Sequence, residues 1–131
     1  MGVHITERAV ERIVAAAAAS VPGTVELGRG LDRLAGRTYP RYDVIVDDSA
    51  GTCSIEAFIA VVWPCPVTAV AVAVRRTVAQ WVEDMTGLQV TGVNVIVGPV
   101  VPGLPVTETA VADHPAHPKL RPVTVRGRRV R

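Results

Sequence analysis

Apolar residues at Val67, Val70, Ala71, Val74, Val78, Trp81, Val82 and Met85 recur at three- and four-residue steps, the spacing of one helix face. Gly87 follows where such a helix would close on a left-handed residue, a conformation that glycine adopts without a Cβ penalty. The β-branched run from Leu88 to Val97 begins at once, so this stretch predicts helix, glycine stop and strand. Within the strand the alternation changes phase: Leu88 and Val90 share one face, and Val93, Val95 and Val97 the other. A bulge at Thr91-Gly92 reconciles the two halves. A strand apolar on both faces is the alternative.

The same reading applies upstream. Thr6 is placed to cap a first helix, with Glu7 favourable to the dipole in its first turn. Ile5 and Val10 have the spacing of a hydrophobic staple. Val10, Ile13, Val14, Ala17 and Val21 make the apolar stripe, and Pro22-Gly23 ends the helix. Thr24 to Leu27 could form a short strand, and Leu31 to Arg37 reads as a loop or one helical turn. Tyr42 to Asp47 is a strand and Asp48 to Gly51 a turn. From Thr52 to Trp63, Cys53, Ile55, Ala57, Ile59, Val61 and Trp63 fall on one face. Ser54, Glu56, Phe58, Ala60 and Val62 fall on the other, which becomes apolar beyond Glu56. Either the strand is covered on both sides there, or its outer face contacts another chain. The contact reading makes Phe58, Ala60 and Val62 the candidate partner-contact residues.

These elements predict an α+β fold in two layers: a small mixed three-stranded sheet with two helices on one face, in the order αββαβ. Strand, crossover helix and strand in one sheet form a parallel unit, and the preceding hairpin adds an antiparallel strand. Residues 57–74 contain no charge and invite reading as a membrane span. Pro64-Cys65-Pro66 interrupts them, removing helical hydrogen bonds and favouring extended geometry before each proline, so a strand, a turn and a helix start are expected instead. After Gly98 six prolines punctuate a segment with little periodicity. The expected organisation is a domain over residues 1–98 and a Pro-rich, basic, disordered tail over 99–131.

Charge is unevenly divided. Residues 1–98 carry eight basic and ten acidic side chains, whereas the remainder carries six basic and two acidic ones. Arg126, Arg128, Arg129 and Arg131 are therefore the candidates for contact with an anionic surface, and a membrane attracts such residues by about 1 kcal/mol each. Nucleic acid is not expected as a partner of the domain itself. It is net acidic, poor in aromatic residues and without a Gly-x-x-Gly backbone clamp, which leaves only salt-sensitive binding through the tail.

Candidate chemistry is thin. Asp47-Asp48 and Glu83-Asp84 are sequence neighbours, which do not face each other on a helix or strand. Cys53 and Cys65 match neither a disulfide framework nor a zinc pattern and read as free thiols. His114 and His117 offer two ligands where a structural metal site takes four. No nucleophile elbow or phosphate-binding glycine loop is present. The expectation is no catalytic residue, no metal and no cofactor. The first residues lack the basic, apolar and cleavage regions of a signal peptide.

The segment Val78 to Val97 resembles the signature of the alkaline-shock protein family, envelope-stress response proteins mostly of Gram-positive bacteria. The matching residues are Gln80 and Glu83 on the helix, Met85-Thr86-Gly87-Leu88, and Val93-Asn94-Val95. Weaker similarity runs back through Ile59-Ala60-Val61-Val62 to Ile5-Thr6, over roughly residues 3–101. Pro64-Cys65-Pro66 and the basic tail depart from the family pattern. The resemblance implies a non-enzymatic, cytoplasmic protein that associates with itself or with a membrane-anchored partner at the inner face of the membrane. A nucleic-acid-associated protein using the tail is the alternative.

Overall fold

Strand, helix and strand fold as the hydrophobic periods require. The structure, a computed structural model, describes residues 6–28 and 38–117. Helix α1 (Glu7–Ser20) starts on Thr6, whose Oγ1 accepts the Ala9 N–H at 3.0 Å. Its stripe of Val10, Val14 and Ala17 is fully buried. Ile5, the other half of the expected staple, lies outside the described residues, as does the segment 29–37. Strand β1 (Thr24–Val25) is two residues long, β2 spans Arg41–Asp47 and β3 spans Thr52–Trp63. Helix α2 (Val67–Thr86) ends at Gly87, whose φ of 78° is left-handed and whose N–H reaches the Glu83 carbonyl. Strand β4 covers Gln89–Pro102 and a short helix α3 covers Glu108–Ala112.

The fold is α+β, and the sheet has four strands where three are expected from the sequence. β1 and β2 lie along the same edge of β3: Thr24 and Val25 oppose Val61 and Ala60, and Arg41 to Asp47 oppose Phe58 to Thr52, all antiparallel. β4 runs parallel to β3 along its other edge, from Thr52↔Gln89 to Trp63↔Pro102. The register shifts once between Cys53 and Ser54, which is the bulge expected at Thr91-Gly92, and again between Ile59 and Val61. The second bulge lies at Gly98-Pro99. It lets β4 continue where the glycine and prolines had read as the end of the strand.

Cys53, Ile55, Ala57, Ile59 and Val61 turn one face of β3 into the floor of the core. Val10, Val14 and Ala17 of α1 and Val70, Val74, Val78 and Val82 of α2 close over it. Each fully buried valine or isoleucine contributes about 1.5–3 kcal/mol relative to exposure. The buried stripe of α2 follows 70-74-78-82 with Ala73 and Thr77 beside it, so Met85, expected on this face, falls off its end and is 42% exposed. No helix among the described residues is long and apolar enough to cross a membrane.

The expected boundary at Gly98 is not a break in the structure. β4 pairs with β3 through three residues more, Val100, Val101 and Pro102, and residues 103–117 then wrap the end of the sheet as a strap. The Gly103 N–H donates to the Trp63 carbonyl at 3.1 Å and the Val106 N–H to the Pro64 carbonyl at 3.0 Å. Thr107 caps α3 by accepting the Ala110 N–H, and Val111 is 3% exposed within the core. The expected tail residues 118–131, with Arg126, Arg128, Arg129 and Arg131, lie outside the described residues.

Gly87→Ala tests the helix stop. A Cβ there meets nothing within 4 Å, so the loss is conformational, about 1 kcal/mol. Urea denaturation should show a lower midpoint with an unchanged slope.

Candidate interaction surface

The face of β3 away from the helices carries Ser54, Glu56, Phe58, Ala60 and Val62, and pairing sets their neighbours. Arg41 opposes Phe58 on β2 and Ile96 opposes it on β4. Asp43, Glu56 and Asn94 form the next row, in which the Asn94 Nδ2 donates to Glu56 Oε2 at 3.4 Å. Ile45 opposite Ser54 makes the row beyond. Among the described residues no helix covers these rows. Ile45 is 67% exposed, a large apolar side chain on the open part of the sheet.

Arg41 organises one end of this surface. Its guanidinium carbon lies 5.0 Å from the Tyr39 ring centroid and 4.9 Å from that of Phe58, so the cation sits between two aromatic rings. Its Nε is buried without a hydrogen-bond partner. Phe58 is thus half-buried beneath Arg41 and presents part of its ring. Tyr39 leans on Gly98: a Cβ there would come within 3.0 Å of the ring. Ala60 is 0% exposed and Val62 8%, and a Cβ on Gly103 would come within 2.5 Å of Val62. The outer face beyond Phe58 is therefore covered by the chain itself at Ala60 and Val62, and open at Ile45, Phe58 and Ile96. Ile45 was legible as an alternating residue of β2, but the sequence did not say which side the helices would cover.

The remaining candidate groups have structural occupations. Asp47 Oδ1 accepts from the Ser49 hydroxyl at 2.8 Å and the Ala50 N–H at 3.1 Å, which closes the hairpin turn and lowers its pKa. Glu83 accepts the Val90 N–H at 3.1 Å and ties α2 to β4. Burial pushes the Cys53 thiol up, with Glu83 adding to it, and burial pushes Cys65 up, so neither is activated as a nucleophile. Tyr42, beside a cavity of about 150 Å³ between α1 and the strands, has a buried hydroxyl without a partner. Burial first and Glu26 second raise its pKa well above that of an ordinary phenol. Among the described residues no three His, Cys, Asp or Glu side chains converge as metal ligands.

His114 and His117 fasten the strap. The Ser20 hydroxyl donates to the Ala17 carbonyl at 2.7 Å, which leaves its oxygen to accept from His114 Nε2 at 3.2 Å. His117 Nδ1 donates to Asp84 Oδ2 at 3.1 Å, and Gln80 Nε2 donates to Asp84 Oδ1 at 2.9 Å. The His117 bond first, and Gln80 second, hold the Asp84 carboxyl below its usual value.

Over residues 1–102 the chain matches a family described by a cell envelope-related function, that of the alkaline-shock proteins. The match ends where the strap begins. No curated protein and no solved structure matches the chain.

His117→Ala should return the Asp84 pKa towards the ordinary carboxylate value, read by NMR titration of the side-chain carbon. Because the folded pKa lies below the unfolded one, the stabilisation exists above the unfolded value. It is lost as pH falls through the folded value, and the variant should show less of this acid-dependent loss. An unmoved Asp84 titration would mean that His117 does not hold it.

Proposed function

The chain belongs to the alkaline-shock protein family, and we propose that it serves the cell envelope as a non-enzymatic interaction protein. It associates with copies of itself or with a membrane-anchored partner at the inner face of the membrane. The observation that carries this reading is the open outer face of the sheet, where Ile45 is 67% exposed on a surface that no helix among the described residues covers. Ile45, the accessible part of Phe58 and Ile96 supply the apolar contact, and Arg41 with the Asp43-Glu56-Asn94 row supplies polar pairing. A mixture of apolar anchors with an arginine and a polar rim is the composition of protein interfaces. Asp47, Glu83 and Asp84 each hold a bond within the fold and burial raises both thiols, which supports a non-catalytic role. The tail arginines Arg126, Arg128, Arg129 and Arg131 would add attraction to an anionic membrane.

Ile45→Asp places a charge on the open face while leaving the core alone. The variant should keep native circular dichroism and melt within about 0.5 kcal/mol of the parent. A photo-crosslinking residue at position 45 in the host should capture a second copy or a membrane-anchored protein, and Ile45→Asp should abolish co-fractionation with the membrane. A chain that never crosslinks at this face and never fractionates with membrane would overturn the reading.

A further inference from the structure

The outer sheet face carries a cation and two carboxylates without opposite charges to answer them. Arg41 lies between the Tyr39 and Phe58 rings, 5.0 and 4.9 Å from their centroids, and its Nε is buried without a partner. Asp43 is exposed two residues further along the same face of β2, a spacing of about 7 Å. Glu56 lies beside it on β3 and accepts from the Asn94 amide. Among the described residues no ion pair engages Arg41, Asp43 or Glu56. The guanidinium turns to the rings instead.

We propose that the occupant of this face is the same face of a second copy, related by a half-turn. The axis runs across the strands, midway between the rows of Arg41 and Asp43. That operation exchanges the two rows, so Arg41 of each copy meets Asp43 of the other, with Glu56 next to it, and the contact occurs twice. It also exchanges positions 39 and 45, which sets the exposed Ile45 of one copy against Tyr39 of the other. Charge selects this axis. A half-turn about the row of Asp43 itself would bring Asp43 onto Asp43 and Glu56 onto Glu56, and like charges disfavour it. One basic and two acidic side chains also make this face a poor match for an anionic membrane, whereas a second copy supplies the opposite sign at each position. The inference rests on the proposed self-association and gives it a geometry.

Charge reversal tests it by sedimentation velocity over a concentration series, after circular dichroism confirms that each variant is folded. The parent should form a dimer that high salt weakens. Arg41→Glu and Asp43→Arg should each weaken it by at least about tenfold, because each sets like charges together twice. Mixed, the two variants should form a dimer with one copy of each, since both contacts are then opposite in charge. The double variant should regain its own dimer. If Arg41→Glu does not fold, Arg41→Lys takes its place: a carbodiimide should join the new amine to Asp43 of the other copy in a covalent dimer, and its absence overturns the pairing. A parent that stays monomeric at millimolar concentration overturns the inference, as does a dimer indifferent to both reversals or a mixture that does not recover. A monomeric chain that still crosslinks at position 45 to a membrane-anchored protein overturns the two-fold pairing alone and leaves the interaction reading standing.

Discussion

Backbone groups buried in a protein interior need hydrogen-bond partners, and β3 is the strand on which this requirement falls hardest. It is twelve residues long and lies in the middle of the sheet. One edge is satisfied by β4 throughout; the other is shared between β2 for the first half and β1 near the end. The two-residue β1 is thereby more than a loop ornament, since it occupies the edge beside Ala60 and Val61. Parallel pairing with β4 demands a crossover, and α2 is that crossover. The same helix then supplies the valines that cover the inner side of β3, so one strand's needs place most of the chain.

The two faces of β3 are treated differently. Inside, strict alternation from Cys53 to Val61 meets two helices and is sealed. Outside, the apolar residues divide. Ala60 and Val62 are covered by the chain, with Tyr39 leaning over Gly98 and Gly103 lying on Val62, whereas Ile45 and part of Phe58 stay open. An arginine between two aromatic rings marks the border. This split leaves Ile45 and part of Phe58 open on the hairpin half of the outer face.

Three of the described carboxylates stitch elements together. Glu83 joins helix to strand, Asp47 closes a turn and Asp84 receives the strap. At Asp47 and Asp84 these bonds stabilise the ionised carboxylate, which suits a structural post and not a proton carrier at neutral pH. These charged groups therefore serve as posts within the fold, and the family match gives the chain a cell envelope-related function.

Local regularities determined much of this from the sequence. The cap at Thr6, the helix ending at Gly87, the whole of β3 with its inner face, and the bulge at Thr91-Gly92 each follow from rules acting over a few residues. So did the family signature, which lies on α2 and β4. Tertiary structure decided the rest. Gly98-Pro99 has the local signature of a stop, yet pairing with a strand already in place carries β4 through it as a bulge. Val111 sits in a segment with almost no periodicity, and only the groove on α2 makes it a core residue. Ala60 and Val62 alternate just as Phe58 does, and nothing local distinguishes them. Which of the three a partner could reach depends on Tyr39 and Gly103, brought from elsewhere in the chain. Alternation reports the face of a side chain, while the cover over that face is a long-range contact.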